Sequence, residues 1–428
     1  MSTPPSPAAS TNLHKVVDAV WRMESARIVG ALSRVTGDVA LAEDLAQDAL
    51  LAALEQWRDT GVPAKPGAWL MATAKHRAID TFRRSENLQR KTALLGRELQ
   101  EAEEPDWAAE LDEVVEDDVL RLVFISCHPV LSREARVALT LRLVGGLTTD
   151  EIARAFLVPE KTLAQRIVRA KRTLSAARVP FEMPAGEDFT ARLSSVLEVI
   201  YLIFNEGYSA TAGEDLVRPA LCQEALRLGR VLAGLVPGEP EVHGLASLME
   251  IQASRLAARV GADGEPVLLA DQDRSRWDRV LVTRGLAALE RAEASGRALG
   301  PYALQAAIGA CHARARSVEE TDWVRIAALY EALAELTGSP VVELNRAVAV
   351  SRAYGPGTAL ELVDALTDVP ALRGYHLLPT VRGDLLEQLG RRDEARAEFE
   401  RAASLTRNER ERTLLLDRAV ACAPPLHG

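Results

Sequence analysis

Lys161, Gln165, Arg166, Arg169 and Arg172 fall within one short stretch, EKTLAQRIVRAKRTL, and their shared chemistry is recognition rather than bond-making. A guanidinium can fork onto two acceptors of a guanine edge or grip a phosphate, and a glutamine amide can do the same for adenine. To act together these groups need one face of one helix. Leu163, Ile167, Ala170 and Leu174 recur at core spacing and supply the buried stripe, which leaves Lys161, Gln165, Val168, Arg169 and Arg172 opposite and Arg166 at the edge. Just upstream, Thr148 and Glu151 have the spacing of a capping box that opens a shorter helix with Ile152, Ala153 and Phe156 on its apolar face. Pro159 suits the first turn of the second helix, where its missing N–H costs nothing. A short amphipathic helix, a tight turn and a basic second helix describe a helix-turn-helix. Ten Lys/Arg face four Asp/Glu between Arg133 and Arg178. The plainer alternative is a helical hairpin with a solvated basic face. Leu157 stands in the turn, where a positive φ would favour Gly or Asn.

The chain around this stretch has 428 residues, enough for two or three domains, and a net charge of −10. The charge is segregated. Lys65 to Arg97 holds eight Lys/Arg and two Asp/Glu, whereas Glu98 to Asp118 holds eleven acidic residues and no basic one. Two basic blocks around an acidic spacer leave nucleic-acid binding open despite the global acidity. Cys127, Cys222, Cys311 and Cys422 are far apart, with no metal-ligand spacing, and read as reduced thiols of a cytoplasmic protein. The start, MSTPPSPAASTN, lacks an apolar core and reads as a disordered N-terminus over residues 1–11 rather than a signal peptide. The longest apolar run, Val196 to Phe204, contains Glu198 and is too short to span a bilayer. Few aromatics with abundant Ala, Leu, Arg and Glu indicate an all-α fold.

In chain order, a first helical block covers Val16 to Arg34, and Gly37-Asp38 breaks it from VALAEDLAQDALLAALEQW. There Leu41, Leu45, Ala49, Ala52 and Ala53 form an inward stripe, while Asp44, Gln47, Asp48 and Leu51 share an outward acidic face with an apolar edge. Arg58 to Gly67 is a loop, rich in Gly and Pro. The next helix, AWLMATAKHRAIDTFRR, turns Met71, Ala74, Ala78 and Phe82 inward and Lys75, His76, Arg77, Asp80, Arg83 and Arg84 outward.

The two helices AEDLAQDALLAALEQW and AWLMATAKHRAIDTFRR, then the acidic spacer and the helix-turn-helix of 148–174, resemble a bacterial RNA polymerase sigma factor of the extracytoplasmic-function class. The resemblance covers about residues 12–178. It implies a region-2-like domain over 12–97, an acidic linker over 98–118 and a region-4-like helix-turn-helix domain over 119–180. It also implies that Asp44, Gln47 and Asp48 contact core RNA polymerase, and that Lys75, His76, Arg77, Asp80 and Arg84 face the −10 promoter element. The family more often has Asn where this chain has His76. The loop Asp59 to Pro66 would hold a flipped base of the melted strand, which must offset a few kcal/mol of unstacking. Lys161, Thr162, Gln165, Arg166 and Arg169 would read the −35 element. Promoter DNA and core polymerase are then the partners, with no cofactor and no membrane.

Sigma factors of this class normally end near Arg178. Here a linker over 181–189 leads into a helical domain over 190–428. Gly383, Leu386, Gly390, Ala395, Phe399 and Ala402 match the spacing of a tetratricopeptide repeat, and Ala347, Val350, Gly355, Ala359, Val363 and Leu366 give a weaker copy, so repeats are expected over 341–405. Such arrays offer a surface for a protein or peptide ligand. The whole chain resembles a sigma subgroup with a long fused C-terminal helical domain, most clearly in EVIYLIFNEGYSA, where Asn205, Glu206 and Tyr208 form either a binding site or a capped helix end at Gly207. Two other classes stay in view. A helix-turn-helix regulator with a helical sensor domain would not need the 42–57 and 74–84 pair. A catalytic C-terminal domain would need a nucleophile–base pair, a phosphate loop or a metal cluster, and the sequence contains none. The expectation is therefore a non-enzymatic transcription initiation factor.

Overall fold

A computed structural model of the chain describes residues 7–84, 118–156, 158–208, 217–259, 261, 267–406 and 409–422. Leu157, most of the acidic spacer and the side chains of Phe82, Arg83 and Arg84 lie outside the described residues. The described secondary structure is helical throughout, in two compact units, Met1–Val236 and Pro237–Gly428.

In the first unit, α1 (Pro7–Thr36), α2 (Val39–Thr60) and α3 (Pro66–Arg84) pack on one another in all three pairings. The first helix begins at Pro7, so residues 7–11, expected to be disordered, are helical. Gly37 (φ +66°) ends α1, and Asp38 starts α2 at once by accepting hydrogen bonds from the Ala40 N–H (2.7 Å) and Leu41 N–H (3.2 Å). Gly61 (φ +79°) closes α2, and Trp57 meets Trp69 edge-on at 5.3 Å across the loop that follows. The expected inward stripes hold for Leu45, Ala49, Ala52, Ala53, Ala74 and Ala78, whereas Leu41 and Met71 are only half-buried.

A helical stretch over 118–126 leads to α4 (Arg133–Leu143), α5 (Thr149–Ala155) and α6 (Glu160–Ala176). The capping box is formed at both ends: the Glu151 N–H donates to Thr148 Oγ1 (3.1 Å) and the Thr148 N–H donates to Glu151 Oε2 (2.8 Å). Leu163, Ile167, Ala170 and Leu174 are buried as their spacing requires, each large one worth about 1.5–3 kcal/mol on burial. Two further helices, α7 (Gly186–Tyr208) and α8 (Pro219–Leu235), pack on each other and, through α7, on α4. Residue 190, the expected start of a separate domain, lies inside α7 of this unit.

The second unit holds α9 (Pro240–Ser254), α10 (Arg279–Ala294), α11 (Pro301–Arg314), α12 (Trp323–Thr337), α13 (Pro340–Tyr354), α14 (Pro356–Leu366), α15 (Leu377–Gln388), α16 (Arg392–Leu405) and α17 (Glu409–Ala421). From α11 onward each helix packs on the next, as in a stack of helix pairs. The repeat positions read from the sequence sit at the crossings: Ala347, Val350, Ala359, Val363, Leu386, Ala395, Phe399 and Ala402 join one core. Gly390 (φ +75°) makes the turn between α15 and α16. At Gly383 a Cβ would lie 2.7 Å from Phe399 Cε1, so the close crossing needs glycine. Gly383→Ala is expected to lower the stability of the chain by about 1–3 kcal/mol, measured as an earlier denaturant midpoint, because a packed ring must move to admit the methyl.

Candidate nucleic-acid interface

The basic helix α6 presents Lys161, Thr162, Gln165, Arg169 and Arg172 to solvent on the face away from its apolar stripe. Arg166 is half-buried and lines a cavity of about 180 Å³ with Glu134, Leu163, Leu202 and Glu206. Arg166 therefore stands at the edge between the exposed face and the cavity wall. Lys171, on the same helix, is drawn fully inward, with a side chain only 14% exposed.

That lysine meets Glu43 of α2. The Glu43 carboxylate accepts from Arg142 Nε (2.6 Å) and Gln47 Nε2 (2.7 Å) and is ion-paired with Lys171 Nζ. Arg142 also donates to the Leu147 carbonyl at 3.0 Å, just ahead of the capping box. Burial pushes the Glu43 carboxyl upward, but the charges and hydrogen bonds of Lys171 and Arg142 outweigh it and hold the group below its ordinary value. Sequence reasoning passed over Glu43 and Lys171. The available signal was a carboxylate one turn ahead of Ala46 and Gln47, on the buried side of an otherwise apolar stripe.

Further ion pairs follow the same seam. Arg22 of α1 reaches Glu151 at 2.5 Å, and Arg34 Nε donates to Asp118 at 3.0 Å. Asp118 also accepts from Arg121 at 2.8 Å and is fully buried. The last residue of the acidic spacer is thus an anchor, and the remainder of the spacer lies outside the described residues.

On α2 the expected outer face divides. Asp44 and Asp48 are exposed, whereas Gln47 is half-buried and engages Glu43. Asp44 lies 4.0 Å from Lys171 Nζ, and Asp48 lies 3.6 Å from Arg77 of α3. His76 and Asp80 are exposed on α3, Lys75 and Arg77 are half-buried, and the Arg84 side chain is outside the described residues. The structure therefore brings Asp48 and Arg77 together and keeps the α6 residues as a separate surface. The expected loop begins later than Asp59, since Asp59 and Thr60 form the exposed last turn of α2; residues 61–62 and 64–65 of the α2–α3 loop are exposed. Tyr208 stacks on Phe204 at 5.5 Å, and Glu206 pairs with Arg218, so this part of the motif engages its own fold.

Comparison with known proteins agrees with these two modules. The family model Sigma-70 region 2 matches residues 20–87, and Sigma-70, region 4 matches residues 121–174. A family of unknown function, DUF6596, matches residues 192–293. An uncharacterized protein of Rhizobium meliloti is 47% identical over 387 residues, which is 90% of this chain and 90% of that protein. The ECF RNA polymerase sigma factor SigL of Mycobacterium tuberculosis is 33% identical over 145 residues, 33% of this chain and 76% of the relative. The probable ECF RNA polymerase sigma factor SigI of the same organism is 24% identical over 166 residues, 39% of this chain and 57% of the relative.

Removing one partner of a buried ion pair leaves the others uncompensated. Glu43→Ala is therefore expected to cost about 3–5 kcal/mol in chemical denaturation. The pH dependence follows from the depressed carboxyl: its contribution is complete above the ordinary value near 4.5 and is lost as pH falls through the lower folded value. Glu43→Gln should show a shallower loss of stability over that acid range than the parent chain.

Proposed function

The chain belongs to the extracytoplasmic-function family of RNA polymerase sigma factors, and from that premise we propose how its surfaces divide the work. It binds core RNA polymerase and promoter DNA, and it recognises the −10 and −35 elements to start transcription. Sigma factors are not an enzyme class; their contribution is positional. A protein that works with polymerase on chromosomal DNA acts in the cytoplasm. Among the described residues no helix is long and apolar enough to cross a membrane.

Asp44 and Asp48 are the polymerase contacts on α2, with Gln47 supporting them through Glu43. Lys75, His76, Arg77, Asp80 and Arg84 of α3 face the −10 element, and the loop from Asp59 to Pro66 receives a base of the melted strand. Lys161, Thr162, Gln165, Arg166 and Arg169 contact the −35 element, Arg169 from the exposed side and Arg166 from the edge. The observation that carries this reading is the pairing, in one chain, of a region 2 match with an exposed acidic face on α2 and a region 4 match with an exposed basic face on α6. A regulator acting without polymerase has no use for the first. The helical stack of the second unit serves as a surface for a protein or peptide and supports assembly of the holoenzyme.

Run-off transcription with core polymerase, with and without the protein, tests the whole reading: a promoter-specific transcript appears only when it is present. The combined substitution Asp44→Ala with Asp48→Ala should weaken the pull-down of core polymerase while the melting temperature barely moves, since both side chains are exposed. Unchanged capture would remove α2 from the polymerase contact. Arg169→Ala should cost about 1–3 kcal/mol of promoter affinity and relax the preference at one −35 position. An equal loss for every −35 sequence would make Arg169 a phosphate contact instead.

A further inference from the structure

A family of unknown function matches residues 192–293, and the part of that segment in the first unit is bound to the helices that carry α6. Arg218, at the N-terminus of α8, donates to the carbonyl of Ala155 and is ion-paired with Glu206 of α7. Ala155 is the last residue of α5, the helix that precedes the recognition helix. Arg227 of α8 donates to the Val144 carbonyl at 2.9 Å, at the C-terminal cap of α4, and is itself held by Glu224 at 2.7 Å. Two arginines, one at the cap of α8 and one within it, thus serve the C-terminal ends of both helices that precede α6. A cation there meets the negative end of the helix dipole and a carbonyl that has no partner within its helix.

The rest of the seam is built to hold that arrangement. Ser195 Oγ donates to the Cys127 carbonyl at 2.8 Å, Arg133 reaches Glu198 at 3.1 Å, and Phe124 meets Phe189 at 5.3 Å. Gly207 lets α7 touch the start of α8: a Cβ there would lie 2.6 Å from the Cys222 nitrogen, and its carbonyl accepts from the Arg218 N–H at 2.7 Å. Arg218 is therefore fixed at its backbone as well as by its guanidinium. The helix it caps needs such help. At seven residues, α5 is too short to be stable alone, and α6 packs on both α5 and α4.

We propose that α7 and α8 are a working part of the −35-reading domain, in which Arg218 and Arg227 are positioning residues. By holding the ends of α5 and α4 they set the angle at which α6 presents Lys161, Gln165 and Arg169 to the major groove. This rests on the reading that α6 contacts the −35 element.

Full-length variants separate the two ideas. The probes are a promoter duplex that supports run-off transcription and the same duplex with a scrambled −35 element, followed by fluorescence anisotropy, with capture of core polymerase as the control. Arg218→Ala should lower affinity for the promoter duplex about tenfold, a change expected from losing a charge-assisted hydrogen bond at the hinge. The promoter-to-scrambled ratio should shrink, and core capture should hold. Arg218→Lys keeps the charge without the fork and should recover part of the ratio. Arg227→Ala should act in the same direction. If Arg169→Ala lowers the ratio and Arg218→Ala and Arg227→Ala both leave it intact, the positioning assignment is wrong. If Arg169→Ala also leaves it intact, α6 is not the −35 reader and the premise falls. Loss of core capture together with the folding transition in Arg218→Ala and Arg218→Lys would make Arg218 a general stability residue and overturn the proposal.

Discussion

A buried carboxylate sets the terms for the DNA-reading unit. Glu43 has a side chain only 5% exposed, and a lone charge so placed would cost several kcal/mol. Its cost is offset by Arg142 from α4 and Lys171 from α6, so the helix of the polymerase-binding module and the recognition helix answer to one anion. The same constraint sorts the basic residues of α6. Lys171 is drawn inward to Glu43, and Lys161, Gln165, Arg169 and Arg172 are left on the opposite side. Which cations stay on the exposed face is thus decided partly by which one is needed inside.

Charge segregation works at a larger scale in the same way. The chain carries a net −10, yet α3 holds four Lys/Arg against one Asp, and α6 holds five Lys/Arg against one Glu. Where acidic residues approach them, they do so as specific partners, Glu43 for Lys171 and Asp48 for Arg77, and elsewhere in the unit Glu151 pairs with Arg22 and Asp118 with Arg34 and Arg121. An acidic protein can therefore serve a polyanion, because binding responds to the local field within a Debye length of about 8–10 Å and not to the sum over the chain.

In the second unit the governing constraint is close approach rather than charge. Small residues at the crossings, such as Gly244 against Ala303 and Gly383 against Phe399, let neighbouring helices interlock, and Gly390 turns the chain between α15 and α16. The stack grows by adding pairs, each burying the apolar face of the one before it. Charge adds to it: Arg274 donates to the carbonyls of His312 and Ala315, and Arg418 of α17 pairs with Glu387 of α15, as arginine–carbonyl and arginine–carboxylate contacts tie non-successive helices in the first unit.

Much of this was written in local pattern. The Thr148–Glu151 box, the Leu163–Leu174 stripe and the Gly383–Phe399 spacing each depend on residues within a few turns, and helical periodicity exposes them directly. The outer placement of Asp44, Asp48 and Arg169 followed from the same periodicity. Tertiary structure alone decided the rest. Arg142 finds Glu43 across 99 positions, Arg227 finds Val144 across 83, and Arg218 finds Ala155 across 63. No periodic mark in the sequence announces such pairs. It was these contacts that turned Gln47 and Lys171 inward, made Asp118 an anchor, and joined α7 and α8 to the helix-turn-helix they follow. A side chain's direction on one helix is set by spacing, but its partner is set by which helices meet, and that depends on the energy of burying charge and apolar surface together.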